Sequence, residues 1–203
     1  MPKSPIRRRP LNKPVLMAVQ SHGPDSGASP DGESSFVVQT FTARYDPIED
    51  RICLNALDAS GSTQAIYLTR RLMDQIIPVV AKHLEEQTPK GVPTDVVQSM
   101  TQERVRQARK AEPTAEPVQA ELDTPRWLCT TIQMNKLPSG LAVTLSGEAA
   151  FKAQIPLADP HLRTVLDILR NTYAKAGWDL RMFPDWLGPE QAAAGQGVQI
   201  RLN

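Results

Sequence analysis

Apolar and polar residues alternate from Phe36 to Tyr45, with Val37, Phe41, Ala43 and Tyr45 on one side. A period of two marks a strand with one covered face. The turn Asp46-Pro47-Ile48-Glu49-Asp50 follows. Arg51–Leu57 then repeats the pattern, with Ile52, Leu54 and Ala56 on one face. A second turn at Asp58-Ala59-Ser60-Gly61-Ser62 leads to a third strand, Gln64–Leu68. The period then changes. After Thr69, a good N-cap, Leu72, Met73, Ile76, Ile77, Val80 and Leu84 fall at helical spacing, which predicts a helix to about Glu86. Pro78 lies inside that helix, where it removes a backbone donor and predicts a kink or a break.

The same order returns later in the chain. Arg126–Met134 reads as a strand, Leu137-Pro138-Ser139-Gly140 as a turn, and Leu141, Val143 and Leu145 as alternating positions of the next strand. Phe151, Ala153, Ile155 and Leu157 alternate in a third. Asp159 with Pro160 opens a helix whose apolar stripe is Leu162, Val165, Leu166, Leu169 and Tyr173, with Gly177 as its stop. The closest match between the two units is Ala65-Ile66-Tyr67-Leu68-Thr69 against Gln154-Ile155-Pro156-Leu157-Ala158. The repeat is therefore one of pattern, with little identity. Three strands and a helix bury too little surface to stand alone, so the two units are expected to share a core.

The fold class expected is α+β. Two pseudo-repeated strand–strand–strand–helix units form a mainly antiparallel sheet with helices packed on one face, behind a disordered N-terminal arm. Proline sets the boundaries. Of 18 prolines, Pro2, Pro5, Pro10, Pro14, Pro24 and Pro30 lie in residues 1–35, and Pro89, Pro93, Pro113, Pro117 and Pro125 in residues 89–125. Fixed φ and a missing donor suit linkers better than packed elements. The chain divides into a basic Pro/Gly/Ser-rich arm (1–35), a first unit (36–88), a linker (89–125) and a second unit with a C-terminal strand near Val198–Leu202 (126–203). Within the linker, residues 94–111 predict a polar helix, capped by Thr94 and with a thin stripe of Val96, Val97, Met100 and Ala108. Glu112–Thr124 reads as a flexible tether.

Charge narrows the partners. The chain has 23 basic and 22 acidic residues, a net +1, yet Lys3, Arg7, Arg8, Arg9 and Lys13 precede the first acid at Asp25. Such an arm suits nucleic-acid phosphates, acidic protein surfaces or anionic lipid equally, while the remainder is net acidic. Its only apolar run, Val15–Val19, is shorter than the core of a secretory signal, and no stretch of the chain has the ~20 apolar residues of a membrane span.

Catalytic and metal motifs are missing from the sequence. His22, His83 and His161 are isolated, and no spaced Cys/His pairs occur. Asp46, Glu49 and Asp50 read as a solvated turn. Cys53 and Cys129 sit in apolar strands, where an inert thiol is the default. A grouping of Cys129, His161 and Asp159 has no sequence reason to assemble. No catalytic residue, cofactor or metal site is expected, and the reading leans away from an enzyme. The function expected is a protein-interaction or assembly subunit of a larger complex. The core anchors it, and the arm and linker reach protein partners. Arg7, Arg8, Arg9, Arg70, Arg71 and Trp186 are the candidate partner-binding residues. Alternatives are a nucleic-acid-associated regulator using the arm, and a small enzyme with a dispersed acid or cysteine site. An oligomer is compatible with each, and the two unpaired cysteines suggest a cytoplasmic location.

Overall fold

The computed structural model describes residues 36–112, 116–148, 150–188 and, as backbone, 199–201. Its elements run β1 (Phe36–Asp46), β2 (Arg51–Asp58), β3 (Thr63–Leu68), α1 (Arg70–Glu85), α2 (Thr94–Ala111), β4 (Arg126–Leu137), β5 (Gly140–Gly147), β6 (Lys152–Ala158), α3 (Asp159–Ala176) and β7 (Gln199–Arg201), with a short 3-10 turn at Asp185–Leu187. This is an α+β chain.

The six long strands close into a barrel. Strands β1, β2 and β3 form one antiparallel meander and β4, β5 and β6 another. The two meanders join at parallel seams, β3 beside β4 and β6 beside β1. The expected open sheet with helices on one face is therefore corrected: β1 pairs with β2 on one side and β6 on the other, which leaves no open edge between the units. Closure removes unpaired strand edges and turns the apolar alternation of every strand toward one interior. The short β7 lies along Thr40–Thr42 of β1, past the point where β6 ends its pairing.

Pairing registers repeat between the meanders. Ala43 faces Leu54 and Leu54 faces Ile66; in the second unit Met134 faces Val143 and Val143 faces Ile155. Each first strand carries one irregularity, between Val38 and Thr40 in β1 and between Cys129 and Thr131 in β4. An extra residue there switches which side chains point inward. Hence Phe36 and Val38 are buried while Val37 is 45% exposed, although simple alternation groups Val37 with Phe41.

All four of β1, β3, β4 and β6 run the same way, so β3 and β6 deliver α1 and α3 to the same end of the barrel. Met73, Ile77 and Val80 of α1 and Leu162, Leu166 and Leu169 of α3 share one core with the inward strand residues, leaving an apolar cavity of about 70 Å³. Thr69 Oγ1 accepts from Leu72 N–H at 3.2 Å, as an N-cap does. Helix α1 continues through Pro78, whose ring is exposed. Gly177, at φ 69°, closes α3 in the left-handed conformation that residues with a Cβ rarely adopt.

An aromatic group holds the chain after α3. Tyr173 is fully buried and meets Trp178 and Phe183 edge-on at 4.9 and 5.2 Å. Trp178 Nε1 and the Tyr45 hydroxyl both donate to Asp50 Oδ1, and Asp46 Oδ1 accepts from the backbone of Ile48 and Glu49. The acids of this turn thus serve the β1–β2 hairpin and its packing.

Candidate functional site

Helix α2 occupies the predicted span, but it docks by its polar face. Gln98, Gln102 and Arg106, spaced four residues apart, are buried, whereas Val96 and Met100 are 48% and 65% exposed. The reason lies on α3, where Arg163 and Asp167 are also buried, again four residues apart. Arg106 lays Nε and Nη2 against the Asp167 carboxylate, with Nη2 to Oδ1 at 2.6 Å, and Gln102 Nε2 donates to Oδ2 at 2.7 Å. Arg163 Nη2 donates to Gln98 Oε1, and Gln98 Nε2 donates to Leu84 O and Thr88 Oγ1 at the end of α1. Arg106 Nη2 also donates to the Leu187 and Gly188 carbonyls. Burying ionised groups is tolerable only when they are paired or well hydrogen-bonded: Arg106 is paired with Asp167, and Arg163 is held by Gln98. One atom of the network, Gln102 Oε1, is buried without a hydrogen-bond partner.

Turning its polar face inward leaves α2 with an apolar face in solvent. Val96 and Met100 lie one above the other at i and i+4, and Val92, 44% exposed, precedes them in the approach to the helix. Asp95 stands in the first turn and the exposed Arg104 further along.

The sequence candidates fall in different places. Arg7, Arg8 and Arg9 lie outside the described residues. Arg70 and Arg71 are exposed at the start of α1, with Arg70 Nε 4.0 Å from Asp74 Oδ2. That carboxylate also accepts from the Tyr173 hydroxyl at 3.0 Å, and burial with this bond pushes the Tyr173 pKa far up. Trp186 is 8% exposed: its Nε1 donates to Glu85 Oε1 at 2.7 Å, and the Arg163 guanidinium lies 5.5 Å from its ring. It closes the junction of α1, α2 and α3. The structure brings Trp186 to the α2 anchor and leaves Arg70 and Arg71 on the α1 surface. Sequence reasoning missed Gln98, Gln102, Arg106, Arg163 and Asp167. Their shared four-residue spacing on two helices was the available signal.

The chemistry-bearing residues are spread out. Cys129 donates to Thr131 O at 3.3 Å, and burial pushes its thiol up to about 11. Asp159 meets His83 Nε2 at 3.1 Å. Within the segment expected as a flexible tether, Val118 is anchored: it is buried, its N–H donates to Thr42 Oγ1, and its carbonyl accepts from Asn55 Nδ2. No group of three His, Cys, Asp or Glu suited to a metal occurs among the described residues, and no helix of the described residues is long and apolar enough to cross a membrane.

His161 gives the site a pH response. Its Nδ1 is buried without a partner, and burial lowers its pKa, opposed by the nearby Glu112 charge. The folded chain then binds this proton less readily than the unfolded chain. Stability from this group is full above the ordinary value of 6.5 and falls as pH drops through 6.5 toward the lowered native value. Urea midpoints taken from about pH 8 to about pH 5 are expected to fall less in His161→Gln than in the parent. Superimposable profiles would refute this.

No protein-family model matches the chain, and no curated protein or solved structure matches it either.

Proposed function

We propose that the protein is a non-enzymatic interaction or assembly subunit, in which the barrel is the anchor and α2 presents the partner-binding face. The observation that carries this reading is the inverted α2: buried Gln98, Gln102 and Arg106 against exposed Val96 and Met100. Desolvating a polar face while leaving an apolar one in water is costly for a helix with no further contact. A partner that covers Val92, Val96 and Met100 recovers that apolar burial. The fitting partner is an amphipathic helix with an apolar stripe, bearing a basic group toward Asp95 and an acidic group toward Arg104. Arg70, Arg71 and the arm residues Arg7, Arg8 and Arg9 would add contacts to acidic protein surfaces.

The test compares the full-length chain with its Val96→Glu/Met100→Glu variant as bait in native extract with nuclease. Both positions are exposed, so the melting temperature is expected to hold. A protein bound by the parent and lost by about tenfold or more from the variant is the expected result, since apolar anchors dominate interface energy. Identical partner sets from both baits would overturn the reading. Partners released by nuclease alone would shift it toward nucleic acid.

A further inference from the structure

A second feature lies on the outer surface of the barrel. Outward residues of β1, β2 and β3 form a floor, and the linker segment 117–120 crosses above it. The recess between them has a volume of about 340 Å³, within the range of small-molecule sites. Its floor is unusual for the outside of a barrel: Thr42, Cys53 and Asn55 are buried, because the linker covers them.

The roof is tied down at one residue. Thr42 Oγ1 accepts from Val118 N–H at 2.9 Å and Asn55 Nδ2 donates to Val118 O at 3.1 Å, so both backbone groups of Val118 are satisfied. Asn55 Oδ1 in turn accepts from the Cys53 thiol at 3.4 Å.

Two cations border the recess, Arg44 from β1 and Arg126 from β4. Among the described residues Arg126 forms no ion pair and Arg44 reaches only Asp46, at 3.6 Å with its side chain half exposed. The fields of both guanidinium groups extend over the floor. Each draws the Cys53 and Tyr67 pKa values down, although burial, the largest influence, and Asp46 push them up. Asp46 is the acid that opposes them there, and it stands against Arg44 in an exposed ion pair, which leaves Arg126 as the second cation at the rim.

We propose that this recess binds a small oxyanion, a carboxylate or phosphate carried on a compact apolar body. Arg126 and Arg44 grip the anion, and Ala65 and Val118 pack on the body. A guanidinium offers two parallel donors that match the oxygens of either anion. Because Val118 is held from the floor, occupancy is felt in the linker, and its backbone amide is a built-in reporter.

The experiment is a titration of the isotope-labelled full-length chain with sodium benzoate and, separately, inorganic phosphate at constant ionic strength, followed by NMR. Saturable shifts of the Val118 amide and the Arg126 Nε–H with at least one probe are expected. Arg126→Gln is expected to weaken that binding by about tenfold, the loss of a charge-assisted contact. Lys136→Gln, which removes an exposed cation elsewhere, is expected to leave it unchanged. Response to benzoate alone, or to phosphate alone, identifies the anion. Flat titrations with both probes, or equal affinity in Arg126→Gln, would overturn the proposal.

Discussion

Asp167→Ala is expected to destabilise the protein by about 3–5 kcal/mol. The Asp167 side chain is 1% exposed and that of its partner Arg106 10%. The substitution leaves a buried guanidinium facing a void, and it also takes the acceptor from Gln102 Nε2. The loss is a desolvation penalty and says little about the net worth of the pair. Replacing both partners tests that distinction. Arg106→Met/Asp167→Leu removes the two charges together and is expected to cost clearly less than Asp167→Ala alone. It cannot be free, because Arg106 also serves the carbonyls of Leu187 and Gly188. Urea unfolding of the two single variants and the double variant measures the coupling. Amide exchange along α2 locates it, since this helix is held by the network and should open before the barrel. An Asp167→Ala cost below about 1 kcal/mol would mean that α2 is not anchored here.

That anchor also explains what the amino-acid pattern hid. Helix α2 is legible as a helix at 94–111, and the structure has Thr94–Ala111. Its orientation is not legible from a rule that sends apolar residues inward. Gln98, Gln102 and Arg106 go inside because α3 offers Arg163 and Asp167 at the same spacing, and that match only emerges when two helices are read together. The strands show the same division. Hairpins β1–β2 and β4–β5 follow from alternation and turn residues, which are local. The seams β3–β4 and β6–β1 join strands far apart in sequence and carry no turn signature, so closure of the barrel leaves no mark on either strand. The outer recess was hidden for a related reason. Arg44, Tyr67 and Arg126 read as ordinary outward residues until the linker is seen to cross over them.

Gly140→Ala is expected to cost about 3 kcal/mol, through overpacking at a backbone that cannot yield. A Cβ at this position would stand 2.0 Å from Leu157 O and 2.8 Å from Ala158 Cα. No rotamer change relieves such a contact, because the obstacle is main chain. The comparison of the two units shows why glycine is needed here and not in the first. The hairpin of β4 and β5 turns through residues 138–139, whereas that of β1 and β2 uses residues 47–50. The tighter turn carries Gly140 into register with Ala158 at the junction with α3, where Ser139 O also accepts from Asp159 N–H at 2.9 Å. In the first unit pairing of β2 with β3 stops at Ile52 and Leu68, and the residue before it, Arg51, keeps its side chain. Gly61→Ala is the control. Gly61 has φ 86° and open space around its Cβ position, so its variant meets conformational strain alone, about 1–2 kcal/mol. Urea unfolding is expected to rank Gly140→Ala as the more damaging of the two. A Gly140→Ala protein within about 0.5 kcal/mol of the parent would show that β5 and β6 can part at this end, and that closure of the barrel does not depend on their contact there.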